Sequence, residues 1–432
     1  MRFFCFARRV AHVPRLRRVV VAGAAVAAVA AGTPALGASG PATPRAASAA
    51  RPASAHRTDT RARPAARRLP VPSTGTLRGQ GLLVGVRPLV TPQFNGSVYA
   101  LAFRGTTVYV GGSFTRATSG GRTYARQRLA AFDAGTGALL SWAPTADATV
   151  RALAVDGTTV YAAGDFGTIS GLHRDNLAAL DVVSGAPGTF AHRISGAPYA
   201  LAVGHGRLYL AGSVRAVDGL PRADLAAFSL TTGVLDAGWR PVADNAVRTI
   251  VAATDRVYVG GAFHQINGVG ALRIAALSTT GALVTTFRPA VAPADVNAIA
   301  VDTSGVYAAT AGQGGRAVAY TDTGEIIWQR IFDGDAAAIT TLDGVVYIGG
   351  HFDTACLTAR NGPHGLCLDG SVPRVKLAAV TSAGDLTAWA PQANGIVGVR
   401  ALAADAGSGT IAAGGDFTLM NGQSRLRVAG FR

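Results

Sequence analysis

Residues 108–144 read VYVGGSFTRATSGGRTYARQRLAAFDAGTGALLSWAP, and the parts of this segment recur until the chain ends. Its opening motif, VY-x-GG-x-F, returns in six further copies that start 52, 48, 49, 49, 40 and 65 residues apart. These copies begin at Val160, Leu208, Val257, Val306, Val346 and Ile411. A self-similar period of roughly 50 residues is typical of a propeller or a solenoid.

Each copy predicts four short strands. Residues 150–157 (VRALAVDG) alternate apolar and other residues, and a tight glycine turn leads to residues 158–166 (TTVYAAGDF), rich in β-branched and aromatic types. A longer loop leads to a third run such as residues 176–181 (NLAALD), and a T-G turn opens a fourth run. Alternation with Gly, Asn and Asp punctuation indicates strands and hairpins, and four antiparallel strands per repeat make a propeller blade. The fourth run usually ends in an aromatic residue: Trp142, Trp239, Phe287 or Trp389.

The two ends of the repeat region predict how the ring closes. The last copy stops after its third run, residues 425–432 (RLRVAGFR), and residues 81–88 (GLLVGVRP) align with residues 137–144 (GALLSWAP). The N-terminal segment is therefore expected to supply the missing outer strand, with residues 82–86 antiparallel beside residues 428–431. We predict an all-β, seven-bladed β-propeller of four-stranded antiparallel blades, closed by an N-terminal strand in the last blade.

The start of the chain predicts export. Residues 1–37 combine six arginines with an apolar run at residues 19–31 and small residues after it, which describes a secretory signal peptide. That run is shorter than the roughly 20 residues needed to span a bilayer, so an uncleaved anchor is the alternative and not the expectation. Residues 38–75 are rich in Ala, Pro, Arg and Ser and predict a disordered linker. The propeller is assigned to residues 76–432.

The net charge of +16 is concentrated before the propeller. Residues 1–75 hold 13 arginines and one acid, Asp59, which leaves 27 basic against 23 acidic residues in the remainder. A strongly basic domain would suggest nucleic acid as a partner, but a balanced propeller does not. We predict no specific nucleic-acid partner and no transmembrane segment after processing.

The cysteines agree with export. Cys5 belongs to the signal peptide, and Cys356 and Cys367 remain, both inside the insertion that stretches the last spacing to 65 residues. Two cysteines in an exported chain most simply form a disulfide. The alternative is a zinc site completed by His351 and His364, which would require reduced thiols outside the cell. We predict the disulfide, no metal and no cofactor.

The repeats resemble three related propeller families. The GG with a third run and a terminal Trp resembles kelch repeats, and residues 131–142 (AFDAGTGALLSW) resemble the Trp-docking motif of quinoproteins with one extra residue before Trp142. The whole pattern, YVGG-x-F, NG, R-x-x-LAA-x-D, TG and W-x-P, is most similar to the secreted bacterial delta-sixty-type repeat propellers, over about residues 81–432. This resemblance implies a fold and no particular reaction. Copy five departs from the pattern, with Trp328-Gln-Arg330 in place of W-x-P.

Two sets of repeated polar residues are candidates for a site on the face that carries the loops into each first strand. Acids and amides three residues before a first strand, with arginines at the second position of such strands, predict a partial ring that grips a polar ligand or a cation. The competing interpretation is an Asx turn with an ion pair between sheets, repeated because the blade is repeated. The residues are Asn95, Asp147, Asp244 and Asp333 with Arg151, Arg248 and Arg400. 

A further set precedes the third runs and is predicted to be structural, through contacts to the loop backbone or to Asp165 and Asp416. These residues are Arg126, Arg174, Arg222, Arg374 and Arg425. The insertion of copy six beside the short loop of copy five predicts a one-sided cleft, lined by His351, Asp353 and Arg360. The competing interpretation is a tolerated surface loop.

Enzyme signatures are sparse. The chain contains no G-x-S-x-G, no H-E-x-x-H and no P-loop, and Glu325 is its one glutamate, so a Glu/Glu glycosidase pair is excluded while an Asp pair is not. We predict a secreted, extracellular, monomeric and non-catalytic binding or scaffold propeller, with cell-wall association as a further option, whose ligand is a glycan or a protein. The alternative is an extracellular enzyme, either a quinone-dependent oxidoreductase or a hydrolase with a site on the same face. Carboxylates all paired with arginine would favour the binding module, and clustered unpaired carboxylates the enzyme.

Overall fold

The computed structural model describes residues 83–289 and 294–432. The predicted signal peptide and linker lie outside the described residues, as does Leu82. Among the described residues no helix is long and apolar enough to cross a membrane. Every regular element there is a strand except one short 3-10 turn, Pro363–Gly365. The predicted all-β propeller class is confirmed.

Seven antiparallel sheets succeed one another along the described chain, one for each repeat. Each of their first strands contacts the first strands of the neighbouring repeats, and the seventh contacts the first, so these strands form a ring. The first strands are Val98–Arg104, Val150–Asp156, Ile194–Gly204, Val247–Ala252, Val296–Asp302, Ala336–Leu342 and Val399–Asp405.

Second and third strands carry the buried apolar residues of each blade. The second strands are Thr107–Gly112, Thr159–Gly164, Arg207–Val217, Arg256–Gly261, Gly305–Thr310, Val345–Gly350 and Thr410–Gly415. The third strands are Leu129–Asp133, Leu177–Asp181, Leu225–Ser229, Ile274–Ser278, Arg316–Tyr320, Leu377–Thr381 and Val428–Phe431.

Short strands fill the loops between second and third strands. We call the face on which these loops lie the hairpin face. The strands are Arg116–Ser119 with Gln93–Phe94 and Arg122–Ala125, Thr168–Ile169 with Leu172–His173, Leu220–Pro221, Gln265–Ile266 with Val269–Gly270, Thr354–Cys356 with Ser371–Pro373, and Leu419–Met420 with Gln423–Ser424.

Among the described residues the fourth run is a regular strand in two blades, Pro187–Ala191 and Ile326–Ile331, which corrects the expectation of four full strands per blade. In four other blades it makes a single bridge, such as Phe132 with Leu139. Those four blades end in an aromatic residue, one further residue and a proline, as in Trp142-Ala143-Pro144. Proline has no N–H for the ladder, so the strand cannot continue, whereas the two regular fourth strands lack this ending.

The N-terminal segment runs antiparallel along the last strand. The backbone N–H of Gly85 donates to the carbonyl of Arg432 at 2.9 Å, and that of Leu89 donates to Gly430 at 2.8 Å. The Thr91 hydroxyl donates to the carbonyl of Val428 at 3.0 Å. The segment therefore occupies the outer position of the seventh blade, with intermittent hydrogen bonds instead of a regular strand. Residues 85–91 lie beside residues 428–432, which corrects the predicted pairing of residues 82–86 with residues 428–431.

The GG motif serves blade packing as well as strand pairing. A Cβ added to Gly111 would stand 2.7 Å from Cγ1 of Val150 in the next blade, and one on Gly414 would stand 2.5 Å from Cγ1 of Val98. Because Val98 opens the first blade and Gly414 belongs to the seventh, the same close contact is repeated where the ring closes. A side chain at either glycine would push neighbouring blades apart.

The terminal aromatic residue of a blade links it to the next blade. Trp142 packs edge-on against Tyr109, with ring centroids 5.0 Å apart. Its indole N–H donates to the carbonyl of Asp181 in the second blade, and the Tyr109 hydroxyl donates to Val182. At Trp142 the aromatic position thus couples burial with a hydrogen bond across the gap between blades.

The insertion of the sixth blade contains the predicted disulfide. Cys356 and Cys367 are bonded, with their Cα atoms 5.1 Å apart. The 3-10 turn at Pro363–Gly365 lies inside the loop that this bond closes. The disulfide prediction is therefore confirmed.

Candidate functional site

The acid and amide positions before the first strands hold the loops of the hairpin face. Oδ1 of Asp147 accepts the backbone N–H groups of Gly167 at 2.9 Å and Thr168 at 3.1 Å. Asn95, Asp244 and Asp333 make the equivalent pair of bonds in their own blades. These side chains cap loops that lie 20 or 21 residues further along the chain, instead of making the local Asx turns that the competing interpretation expected.

Asn394 makes the same two bonds in the seventh blade, to the backbone of Thr418 and Leu419, and the sequence analysis missed it. It precedes its first strand by five residues instead of three, because Gly395 to Gly398 lengthen the connection. The spacing rule hid it, although its contribution to the loop is the same.

Two of the caps have perturbed acidity. Burial raises the pKa of Asp147, but the hydrogen bonds from the backbone N–H groups of Thr168 and Gly167 lower it by more. The net pKa of Asp147 therefore lies below the ordinary value. Asp244 behaves alike, with burial opposed by the N–H groups of Gln265 and His264. Both carboxylates are therefore ionised at neutral pH and occupied by the backbone.

A β-bulge in each first strand aims one side chain at the centre of the ring. In the second blade Val150 pairs with Gly164 and Ala152 pairs with Ala163, which leaves Arg151 as the extra residue. The same shift occurs in all seven blades, and bulges characteristically re-aim a side chain in this way. The seven bulge residues are Tyr99, Arg151, Tyr199, Arg248, Asn297, Ala337 and Arg400.

These seven side chains line a central cavity of about 520 Å³ together with Ala246, Asp335 and Val397. We call it the central cavity. Three of the predicted site residues, Arg151, Arg248 and Arg400, are brought together there. The two tyrosines, Asn297 and Asp335 were not predicted. The signal that could have found the bulges is the second glycine of GG, because a Cβ on Gly164 would overlap the carbonyl oxygen of Thr149 beside the bulge.

Each cavity arginine is anchored by an aspartate other than the predicted caps. Nε of Arg151 lies 2.8 Å from Oδ1 of Asp165, and Nη2 of Arg248 lies 2.7 Å from Oδ2 of Asp295. Asp165 directly follows Ala163-Gly164, which occupy the position of the GG motif in the second blade. The predicted alternation of arginines with the cap residues therefore does not form a set of ion pairs.

Arg400 has the most enclosed anchor. Its Nε and Nη2 lie 3.0 and 2.9 Å from Oδ2 of Asp416, and its Cζ lies 5.1 Å from the ring centroid of Tyr99. Burial raises the pKa of Asp416, but the hydrogen bond from Arg400 and the positive charges of Arg400 and Arg427 together lower it by more. The net pKa of Asp416 is therefore below the ordinary value. The carboxylate is held ionised behind the guanidinium.

The arginines before the third strands do not contact Asp165 or Asp416. Nη1 of Arg374 donates to the carbonyl of Pro373 at 2.7 Å, and its Nη2 donates to Thr387 at 2.5 Å, in the fourth run. Arg126, Arg174 and Arg425 bridge the same two places in their blades. We call these four the edge arginines. Their structural role is the predicted one, through the loop backbone.

The insertion residues lie apart from the central cavity. Lys376, the single lysine of the chain, donates from Nζ to the carbonyl of His351 and to Oδ1 of Asp353, both at 2.7 Å. Arg360 pairs with Asp369 at 3.0 Å. None of the three predicted residues lines the central cavity.

The insertion lies across the short turn of the fifth blade. His364 is hydrogen-bonded through Nδ1 to Oε1 of Gln313 at 2.6 Å, and a Cβ on Gly314 would stand 3.2 Å from Cα of Gly365. The long loop therefore packs closely on the short one. In the described part of the chain no three His, Cys, Asp or Glu side chains are grouped as a metal site requires.

Comparison with known proteins supports the fold. No protein-family model and no curated protein matches the chain. Among solved structures the chain is similar to the WD40 β-propeller domain of Doa1, with a TM-score of 0.52 and 13% identity, covering 81% of this chain and 97% of that one. The computationally designed Ika8 protein gives a TM-score of 0.45 at 16% identity, over 82% of this chain and 99% of that one. At 13% identity the likeness to the WD40 domain shows a β-propeller fold alone, so the resemblance to delta-sixty-type repeats stays a prediction.

Proposed function

We propose that this chain is an exported, non-catalytic binding propeller whose ligand docks in the central cavity. The observation that carries the proposal is the set of seven bulges, which directs one side chain from every blade into a cavity of about 520 Å³. Three of these side chains are arginines anchored from behind by aspartates. Concave sites with a few convergent polar groups are where proteins bind small ligands.

The state of the carboxylates supports binding over catalysis. Asp165, Asp295 and Asp416 are each paired with a cavity arginine, and Asp147 spends Oδ1 on the backbone. Acid–base hydrolysis by aspartates requires two carboxyl groups with access to the substrate. Asp335 is the one carboxylate among the residues lining the cavity, and a single carboxylate does not make such a pair.

Two features support export. The bond between Cys356 and Cys367 is of a kind that persists in oxidising compartments, and the first 37 residues have the pattern of a signal peptide. N-terminal sequencing of the protein recovered from the culture medium should begin near Ala38. Recovery of a membrane-bound protein that still begins at Met1 would contradict this part of the proposal.

The binding proposal is tested with the purified exported protein. A thermal-shift screen covers glycans, small organic acids, peptides, quinone and calcium, and each hit is repeated with Arg248→Ala and with Arg122→Ala. Arg122 is exposed on a strand of the first-blade loop on the same hairpin face, so it controls for loss of one positive charge. The expected result is a hit that Arg248→Ala abolishes and Arg122→Ala retains. Hits that are all insensitive to Arg248→Ala would overturn the site, and turnover of a bound compound would overturn the non-catalytic assignment.

A further inference from the structure

The cavity arginines keep hydrogen-bond donors for a ligand. Arg151 uses only Nε for Asp165, and Arg400 uses Nε and Nη2 for Asp416. Within the described residues no partner is recorded for either terminal nitrogen of Arg151 or for Nη1 of Arg400. A guanidinium held at one edge by a carboxylate presents its other edge in a fixed geometry, which suits a planar carboxylate.

The same cavity offers aromatic surface. Tyr99 and Tyr199 line it, and neither hydroxyl has a hydrogen-bond partner among the described residues. The guanidinium of Arg400 already lies near the ring of Tyr99. A tyrosine supplies an apolar face and a polar tip, so it can pack against the C–H face of a saturated ring while bonding to a ring hydroxyl.

The opposite side of the cavity offers acceptors. Asp335 and Asn297 both line it, and Oδ1 of Asn297 already accepts a hydrogen bond from Nη1 of Arg248 at 3.3 Å, so a ligand hydroxyl would use the second lone pair of this oxygen. Oδ1 of Asp335 accepts the backbone N–H of Gly312, and no partner is recorded for its Oδ2 in the described chain. A carboxylate at this position accepts hydroxyl protons but repels a second anionic group.

The free arginine donors, the tyrosine rings and the carboxylate of Asp335 together favour some anionic ligands over others. A peptide rich in Asp or Glu, or an inorganic polyanion, would bring several negative charges near Asp335 and supply few hydroxyls. The propeller outside the first 75 residues is also nearly balanced, at 27 basic to 23 acidic residues, so it has little long-range attraction for a polyanion. The arrangement fits a ligand with one carboxylate, several hydroxyls and a ring face.

We propose that the central cavity recognises an acidic saccharide, a sugar ring that bears a carboxylate. The carboxylate is held by Arg151 and Arg400, the ring packs on a tyrosine, and hydroxyls donate to Asp335 and Asn297. This proposal rests on the proposed binding function and names the class of its ligand.

The test is isothermal titration of the purified exported protein with four probes: galacturonate, its neutral methyl ester, tetraglutamate and inorganic sulfate. We expect galacturonate to bind and the neutral ester and tetraglutamate to bind at least about tenfold more weakly, a difference of roughly 1.4 kcal/mol. Arg400→Ala and Arg151→Ala should each weaken galacturonate binding about tenfold, and Arg122→Ala should leave it unchanged. Arg400→Lys should also weaken it, because an ammonium keeps the charge but loses the planar fork.

The outcomes separate this inference from the proposed function. If the neutral ester binds as tightly as the acid, or if tetraglutamate or sulfate alone binds and is lost in Arg248→Ala, the ligand class is wrong while the cavity still binds a ligand. If none of the four probes binds but a different screen hit is sensitive to Arg248→Ala, the ligand class is again wrong. If no ligand of any class depends on the cavity arginines, the proposed function fails. Thermal midpoints of all variants check that each is folded.

Discussion

The cavity arginines and the edge arginines occur together in the second and seventh blades, and the two sets use their hydrogen-bond donors differently. Arg374 at the edge spends both terminal nitrogens on main-chain carbonyls, and burial lowers its pKa from the ordinary value. Arg151 at the cavity bonds through Nε alone, and the hydrogen bond that it donates to Asp165 raises its pKa. Repetition therefore does not distinguish a structural arginine from a ligand-binding one. The distinction lies in which nitrogens are already occupied.

The largest expected effect on stability comes from disturbing the bulge that directs Arg151 into the central cavity. In Gly164→Ala the new Cβ would overlap the carbonyl oxygen of Thr149, so the bulge that aims Arg151 has to shift. We expect the free energy of unfolding to fall by about 3 kcal/mol in chemical denaturation, because a clash with backbone cannot be relieved by a rotamer change. Gly167→Ala is the matched control, since its Cβ would meet only Oδ2 of Asp147 at 3.5 Å. Equal stabilities of the two variants would contradict this account of the bulge.

The next effect measures an edge arginine. Arg374→Ala leaves the carbonyls of Pro373 and Thr387 without their charged donor, and we expect a loss of about 2 kcal/mol in unfolding free energy. Ligand affinity, measured by titration, should not change. Loss of ligand binding in Arg374→Ala would contradict the distinction between edge and cavity arginines. So would an unfolding free energy no lower than that of Arg122→Ala.

A smaller effect concerns pH and the anchor of a cavity arginine. The pKa of Asp416 is lowered in the folded protein, so its contribution to stability is present above the unfolded value of about 3.9 and is lost as pH falls through the folded value. Asp416→Asn should therefore be less stable than the wild type by about 1 kcal/mol at neutral pH, and the difference should shrink as pH is lowered below about 4. A difference that stays constant from neutral pH to pH 3 would show that the ion pair with Arg400 contributes nothing.

The smallest effect adds an edge arginine where one is missing. The fourth blade has Ala271 at this position, and a groove of about 410 Å³ lies there between Ala271 and Phe287. Ala271→Arg would place a guanidinium near the carbonyls of Gly270 and Val284, which correspond to those that Arg374 bonds. We expect a gain of about 0.5–1 kcal/mol, seen as a higher thermal midpoint. A lower midpoint would mean that the fourth blade is built differently at its edge.

Much of the fold could be predicted from the sequence because each blade repeats its own local signals. The period, the T-G and N-G turns and the paired cysteines are short-range patterns, and they led to the propeller class and to the bond between Cys356 and Cys367. The sequence analysis predicted too many regular fourth strands. It did not take into account that Pro144 and the equivalent prolines have no N–H and so end the pairing of the strand. The W-x-P ending supported the family resemblance, but the same proline also predicts where the fourth strand stops.

The candidate site could be predicted only in part. Arg151, Arg248 and Arg400 were found because they follow the opening residue of a strand, but their aspartate partners were misassigned, since Asp165 is distant in sequence from the cap position at Asp147. Tyr99 and Tyr199 were missed because they share no residue type with the arginines, only the bulge position. What links these seven positions is backbone geometry, which a residue-type pattern does not display.

The sequence by itself determined the repeating unit, its strands, its turns and its covalent crosslink, because these depend on neighbours close along the chain. The tertiary structure alone decided which polar groups remain free. Whether the N–H groups of an arginine form internal hydrogen bonds depends on which groups lie opposite them in the closed ring. In this chain, ring closure brings seven bulge residues, from residue 99 to residue 400, around one cavity. The sites that bind are those where closure leaves hydrogen-bonding groups without an internal partner.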